Sequence, residues 1–142
     1  MVTMFIIRTI ENKDIDTVVE LWEICNITRP WNHPETDIFR KMNQKDDLFL
    51  VAEKDNNVIA SIMGGYDGHR GWIHYLAVHP DHQRLGIATA LIQNIEKRLI
   101  AIGCPKIQLM VRPENTSVIH FYETLDFEEI ESVCLGKRLI QD

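Results

Sequence analysis

The sequence contains no long hydrophobic run, and no stretch approaches the ~20 consecutive apolar residues that a membrane-spanning helix requires. Its beginning, MVTMFIIRTIENKD, lacks the basic flank, the long apolar region and the small-residue cleavage site of a signal peptide. We therefore expect no membrane partner and a cytoplasmic location.

Cysteine is also scarce, and the arrangement of the three present argues against two common uses. Cys25, Cys104 and Cys134 are odd in number and widely separated, and none forms a C-x-x-C pair, so neither a disulfide framework nor a zinc site is expected. His79 and His82 lie close together in the sequence, but no cysteine or third histidine lies near them. We therefore expect no metal cofactor.

Positive charge is in the minority, with 15 Lys and Arg residues against 21 Asp and Glu residues and a formal net charge of -6. This balance argues against a nucleic-acid partner, so any phosphate must be bound by a local site. Two common nucleotide motifs are absent, because there is no G-x-x-x-x-G-K-[ST] and no G-x-G-x-x-G follows a strand. The 142 residues, 45% of them hydrophobic, fit one globular domain spanning residues 1–142.

Hydrophobic periodicity and turn residues predict both strands and helices. Strands are expected at residues 4–10, 48–53, 58–63, 72–78 and 106–111, with a closing hairpin in residues 127–140. Helices are expected after a cap at Asn12, in residues 34–43, from the 79–86 turn to Ile102 and in residues 117–125. Turns at 54–57 and 64–71 make three strands antiparallel, whereas a helical crossover makes the next strand parallel. The predicted fold class is α/β (α+β) with a mixed sheet.

The most informative segment is VHPDHQRLGIATAL, residues 78–91, which joins an apolar strand to an amphipathic helix through a turn. The turn carries Gln83, Gly86 and Ala88. The first N–H groups of a helix lack intrahelical acceptors and lie at the positive end of its dipole, so an anion is stabilised there. The two small residues let phosphate oxygens approach the backbone. Taken alone, however, such a pattern more often marks a strand, a turn and a helix that only pack together.

A second motif, NTSVIHFYETLDF at residues 115–127, changes this interpretation. The two motifs together resemble the GNAT N-acetyltransferases, which carry [QR]-x-x-G-x-[GA] between the fourth strand and the third helix and N-x-x-[AV]-x-x-[FL]-Y-x-x-x-G-F downstream. The resemblance covers nearly the whole chain. It implies a GNAT fold, with a mixed, mostly antiparallel sheet of about six to seven strands and about four helices in a single domain. RPWNHPE, GGYDGHRG and LGKRLI most resemble the small bacterial YpeA branch, akin to ribosomal-protein acetyltransferases of the RimI type.

The resemblance implies that acetyl-CoA is the cosubstrate and a primary amine the acceptor, carried by a small molecule or by a peptide or protein. The residues implied to bind the pyrophosphate are Gln83, Arg84, Leu85, Gly86, Ile87, Ala88 and Thr89. The pantetheine arm would pair with the backbone of Leu76, Ala77 and Val78 and with the side chain of Asn115. Asn115 has an alternative role as the cap of the helix that follows it.

The resemblance also places Tyr122 beside the thioester sulfur. Attack by an amine creates an oxyanion, which a backbone N–H near Ala77 or Val78 would stabilise. The leaving thiolate needs a proton, and a phenol of pKa ~10 is a reasonable donor, so Tyr122 is the predicted general acid. Without the family pattern, Tyr122 would be interpreted as a core aromatic residue with its hydroxyl at the surface.

Two positions depart from the family pattern. Asp126 stands where glycine is usual, at a helix end that often needs a positive φ, which Asp tolerates better than most residues. Trp72 stands where some members carry a glutamate early in the fourth strand. By strand alternation His74 shares the face of Trp72 and is the candidate general base, with Asp67 and His69 as rivals. An ordinary structural role in a turn or strand explains His74, Asp67 and His69 at least as well as a role as base does.

Two loops are expected to recognise the acceptor, through Arg29, Trp31, Asn32, Tyr66, Asp67 and His69. The alternative is a packed loop in which Trp31 is the anchor and Arg29 is a salt-bridge partner. The chain is expected to be a monomer or a homodimer. The alternative function is a non-catalytic acyl-CoA-binding regulatory or interaction domain of the same fold.

Overall fold

The computed structural model describes residues 4–141, so residues 1–3 and 142, the ends of the predicted domain, lie outside the described part. Contacts divide the chain into two units, Met1–Leu109 and Met110–Asp142. The first unit contains the sheet and the helices that cover it, and the second contains one helix and the C-terminal tail. The single domain expected for residues 1–142 stays a prediction.

The first unit is built on a five-stranded sheet whose spatial order follows the sequence. Its strands are β1 (Ile6–Thr9), β2 (Phe49–Lys54), β3 (Asn57–Tyr66), β4 (Gly71–Val78) and β5 (Ile107–Gln108). The pairs β1–β2, β2–β3 and β3–β4 are antiparallel, and β4–β5 is parallel. The predicted antiparallel run and the parallel crossover are therefore confirmed.

Within residues 4–141, four α-helices accompany the strands, as expected. They are α1 (Ile15–Ile24), α2 (Pro34–Met42), α3 (Ile87–Ala101) and α4 (Thr116–Glu123). Pro34 begins α2. An N–H at the first position of a helix has no intrahelical acceptor, so proline, which lacks one, loses no hydrogen bond there. Gly103 follows α3 with φ +86°, which ends the helix near the predicted position.

The helices of the first unit cover both faces of the sheet. A Cβ placed on Gly64 would meet Ile95 of α3, whereas one on the adjacent Gly65 would meet Lys41 of α2. Since successive strand residues point to opposite faces, α3 lies on one face and α2 on the other. Helix α1 packs against β3, β4 and α2. The core therefore has two layers, one on each side of the sheet, and the buried residues of α3 are Ile87, Leu91, Ile92, Ile95 and Leu99.

The expected number of strands was wrong, since the described residues form five. The difference lies in the tail, where the predicted closing hairpin of residues 127–140 contains no strand. Val133, Leu135 and Leu139 have β-forming side chains, yet they are 84%, 91% and 85% exposed. A strand needs a partner for its N–H and C=O groups, and alternation of apolar residues alone does not supply one.

Two local predictions also need correction. Asn12 is not a helix cap but the first residue of a short 3-10 helix, Asn12–Asp14, which begins after Glu11. The glycine-rich turn is shorter than residues 64–71, because β3 continues to Tyr66 and pairs there with Gly71. Paired strands satisfy the hydrogen bonds of more backbone groups than an open loop does. The glycines at the two ends of residues 64–71 therefore belong to the ladder of β3 and β4 and not to the turn.

Candidate functional site

The turn between β4 and α3 leaves the first N–H groups of the helix without intrahelical acceptors. Gly86 is the N-cap, with φ +79°, and the first helical hydrogen bond runs from the Ala90 N–H to the Gly86 carbonyl at 3.0 Å. The N–H groups of residues 87–89 therefore precede the ladder and have no intrahelical acceptor. No acidic residue lies in the first turn of α3, and a Cβ on Gly86 would meet no atom within 4 Å. This is the arrangement predicted for a phosphate site.

The turn itself is held by hydrogen bonds that start at the end of β4. The Gln83 side-chain amide donates to the Val78 carbonyl at 3.2 Å, and His79 Nδ1 accepts from the Asp81 N–H at 3.1 Å. Arg84 adopts a left-handed conformation, φ +64°, and is exposed. Gln83 therefore supports the turn through its side chain.

Strand β4 has a free edge within the first unit. Its ladder with β5 consists only of the pairs Gly71↔Ile107 and Trp72↔Gln108. On the other edge the His79 N–H donates to the Ile59 carbonyl at 2.8 Å. Because successive residues of an antiparallel strand alternate in direction, the N–H groups of residues 76 and 78 point to the free edge.

Three residues of β4 were predicted to pair with a pantetheine arm, and their N–H groups do not all point in the same direction. Ala77 lies two residues before His79, so alternation turns its N–H toward β3, and its pairing with a pantetheine arm stays a prediction. Leu76 and Val78 keep an outward N–H. The Val78 carbonyl already accepts from Gln83 and, at 3.4 Å, from the Cys25 thiol. Because its carbonyl already accepts two hydrogen bonds, Val78 offers a ligand on this edge its N–H donor.

A β-bulge precedes these residues. Ser61 pairs with Ala77 and Met63 with His74, so β4 has one residue more than β3 in this interval. Tyr75, in the bulge, has φ +50°, which costs an aromatic residue about 1–2 kcal/mol. Sequence reasoning missed the bulge, since no pattern in WIHYLAV marks an extra residue in a strand.

His74 and Trp72 share a face, as alternation predicted. Their rings are stacked, with centroids 6.4 Å apart and planes 7° apart. Desolvation by surrounding atoms lowers the pKa of His74, and the charge of Lys41 lowers it further, although part of the imidazole surface stays exposed. A lowered pKa keeps the imidazole neutral near pH ~7, the form that accepts a proton.

Asp67 organises the hairpin turn. Its carboxylate accepts from the N–H groups of Arg70 and His69, each at 2.7 Å, and from Trp72 Nε1 at 3.0 Å. These hydrogen bonds, led by that from Arg70, lower the pKa of Asp67 to about 2. A carboxylate so stabilised in its charged form is a weak proton acceptor. The Tyr66 hydroxyl donates to the Gly68 carbonyl in the same turn, at 3.1 Å.

The loop before α2 is closed by two hydrogen bonds between Arg29 and Asn32. The Arg29 N–H donates to Asn32 Oδ1 at 2.7 Å, and the Asn32 N–H donates to the Arg29 carbonyl at 2.9 Å. Trp31, between them, is 62% exposed. The alternative in which Trp31 anchors a packed loop is therefore wrong. Arg29 donates to the Asn26 carbonyl at 3.3 Å, which is not a salt bridge.

The second unit carries the other two candidate residues. Asn115 is the N-cap of α4 through its backbone, and its side chain makes no capping hydrogen bond. Tyr122 is buried, with the rings of Phe121 and Phe127 edge-on to it at 5.2 and 5.3 Å. Burial raises the pKa of Tyr122 to about 12. Asp126 has φ +70°, so the positive φ expected at this helix end is confirmed.

No group of three or more His, Cys, Asp or Glu side chains able to hold a metal ion is found between residues 4 and 141. In the same part of the chain, every helix is too short or too polar to cross a bilayer.

Comparison with known proteins identifies the family. The sequence matches the acetyltransferase (GNAT) family over residues 15–127. It is 56% identical over 136 residues to an acetyltransferase of Pectobacterium atrosepticum and 58% identical over 137 residues to one of Sodalis glossinidius. Each alignment covers 96% of this chain and 96% of the relative. Assignment to the YpeA and RimI-like branch stays a prediction.

Solved structures share the fold. Ard1 from Thermoplasma volcanium superposes with a TM-score of 0.78 at 23% identity, covering 87% of this chain and 82% of that one. A predicted acetyltransferase from Clostridium acetobutylicum, solved with acetyl-CoA, gives a TM-score of 0.72 at 20% identity, covering 94% of this chain and 96% of that one. The motifs, the sheet with its crossover helix and the relatives agree, and the chain therefore belongs to the acetyltransferase (GNAT) family.

Proposed function

We propose that this chain transfers the acetyl group of acetyl-CoA to a primary amine by direct attack in a ternary complex. The observation that carries the proposal is the open N-terminus of α3 after Gly86, next to the free edge of β4. The unpaired N–H groups of residues 87–89 suit the pyrophosphate, and Arg84 adds positive charge in a protein of net charge -6. The outward N–H groups of Leu76 and Val78 suit the amides of the pantetheine arm.

The reaction needs charge stabilisation and two proton transfers. The amine nitrogen attacks the thioester carbon, the carbonyl oxygen becomes an oxyanion, and the C–S bond then breaks. An N–H at the free edge of β4 would stabilise the oxyanion, and the nitrogen would lose its proton to His74 or to water. The thiolate would take the proton of Tyr122, and the phenolate would regain one from water, because its raised pKa of about 12 keeps the phenol protonated at neutral pH.

The acceptor would approach the loops that carry Arg29, Trp31, Asn32, Tyr66 and His69. The exposure of Trp31, 62% of its surface, supports this proposal, because a large and mostly exposed aromatic side chain is available to contact a ligand. The excess of acidic residues favours a cationic acceptor. The acceptor is accordingly a small amine or the amine of a peptide or protein.

Thiol release from acetyl-CoA, measured across a panel of small amines and peptides, tests the proposal. The wild-type protein should release thiol with at least one acceptor, and Tyr122→Phe should lower kcat by about 100-fold if the phenol is the general acid. Unchanged thermal stability and acetyl-CoA affinity in this variant would show that the loss lies in the chemical step. An unchanged kcat would remove Tyr122 from the mechanism.

The non-catalytic alternative makes the opposite prediction. A regulatory acyl-CoA-binding domain would bind acetyl-CoA in calorimetry but release no thiol with any acceptor. Two departures from the family pattern, Trp72 and Asp126, favour this alternative. The backbone accommodates the second, since Asp126 takes the required positive φ and the Phe127 N–H donates to the Tyr122 carbonyl at 3.1 Å.

A further inference from the structure

The bulge in β4 is held by contacts to both helices on one face of the sheet. The Tyr75 ring stacks on Trp22 of α1, with centroids 4.0 Å apart and planes 9° apart. The Tyr75 hydroxyl donates to Asp37 Oδ2 of α2 at 2.8 Å. The Tyr75 carbonyl accepts from Ser61 Oγ at 3.5 Å, and Ser61 Oγ in turn accepts from Trp22 Nε1 at 2.9 Å.

These contacts act on a residue whose backbone conformation is unfavourable. A left-handed φ at an aromatic residue persists only where the surrounding structure enforces it. Both ends of Tyr75 are engaged, the carbonyl by Ser61 and the hydroxyl by Asp37. Burial and the hydrogen bond to Asp37 raise the pKa of Tyr75, so the hydroxyl stays a donor throughout the working pH range.

We propose that Tyr75 is a positioning residue, whose hydrogen bond to Asp37 fixes the bulge and thereby aims the N–H groups of Leu76 and Val78 at the acyl donor. The inference rests on the proposed function, because it assigns the edge after the bulge to the acyl donor. Alternation places both N–H groups on the free edge of β4, one and three residues after Tyr75. A bulge commonly changes the direction of the backbone groups that follow it. A change in the geometry of the bulge therefore moves N–H donors whose hydrogen bonds to the acyl group are strongest in the transition state.

Two variants separate positioning from simple stabilisation. Tyr75→Phe keeps the ring on Trp22 and removes only the hydroxyl. It should lower kcat about tenfold, with KM for acetyl-CoA within about twofold of wild type, since small displacements affect the transition state most. Asp37→Asn keeps an oxygen that accepts from the Tyr75 hydroxyl, so it should retain kcat within about twofold, whereas Asp37→Leu should match Tyr75→Phe.

The double variant Tyr75→Phe/Asp37→Leu tests whether the two residues act through one contact. Its kcat should equal that of either single variant instead of falling about 100-fold, the product of two independent tenfold losses. Asp14→Asn is the control for lost stability alone, because Asp14 pairs with Arg8 and contacts no residue of the bulge. It should lower the melting temperature and leave kcat unchanged.

The outcomes distinguish this inference from the proposed function. Absence of thiol release by the wild-type protein would refute the proposed function itself. Wild-type turnover with an unchanged kcat in Tyr75→Phe would refute only the positioning role. Equal losses of kcat in Asp37→Asn and Asp37→Leu would also overturn it, because the hydrogen bond would then not be the cause.

Discussion

Glycine substitutions at the two ends of α3 provide a matched test of the donor site. Gly86 and Gly103 have φ values of +79° and +86°, and a Cβ at either position would meet nothing within 4 Å. An alanine at either position should therefore cost the same backbone strain, about 1–2 kcal/mol, and lower the melting temperature by roughly 3–8 °C. Only Gly86 adjoins the unpaired N–H groups of residues 87–89.

Glutamate substitutions at Gly86 and Gly103 should differ more in their effect on acetyl-CoA affinity than alanine substitutions do. At Gly86 the glutamate carboxylate would compete with the pyrophosphate for the helix N-terminus and repel it. Losing two hydrogen bonds to a charged group, at about 1.5–3 kcal/mol each, predicts a Kd for acetyl-CoA raised by about 100-fold or more. At Gly103 the same side chain lies beyond the other end of a 15-residue helix, roughly 22 Å away, where a screened charge has little effect.

Titration calorimetry with acetyl-CoA measures both effects, with thermal unfolding of the same samples as the control for folding. We expect Gly86→Glu to abolish measurable binding and Gly103→Glu to bind within about twofold of wild type, since ordinary surface changes have small effects. The reasoning is wrong if Gly86→Glu binds as wild type does, or if Gly103→Glu loses as much affinity while remaining folded.

Three further predictions concern stability and pH. The hydrogen bond from Arg8 lowers the pKa of the buried Asp14, so the contribution of Asp14 to the free energy of unfolding should be complete above about pH 5 and be lost as the pH falls below about 4. Asp14→Asn should weaken the dependence of the free energy of unfolding on pH in this range. Leu91→Ala, at a fully buried position of α3, should lower the free energy of unfolding by about 2–5 kcal/mol, against less than about 0.5 kcal/mol for the 72% exposed Ile100→Ala in chemical denaturation. Because burial raises the pKa of Tyr122 to about 12, kcat should show no alkaline loss from this phenol below about pH 10, and an ionisation near pH 10 that Tyr122→Phe removes would contradict the raised pKa.

Local signals in the sequence predicted the elements that depend on nearby residues. The turn of Gln83 and Gly86, the end of α3 at Gly103 and the positive φ of Asp126 all follow from conformational preferences of single residues, and each is present. The antiparallel run and the crossover were also predictable, because turn length and an intervening helix decide the direction of the next strand. The paired motifs were sufficient to indicate the family.

Tertiary structure decided what depends on partners far away in the sequence. The tail from residue 127 has a strand-like pattern without a ladder, and the extra residue at Tyr75 arises from the register between β3 and β4. Ala77 faces β3 while Leu76 and Val78 face the free edge, for the same reason. Register and pairing are properties of two strands together. The sequence by itself therefore determined that a glycine-containing turn and a helix N-terminus follow β4, and only the assembled sheet determined which N–H groups of β4 are free.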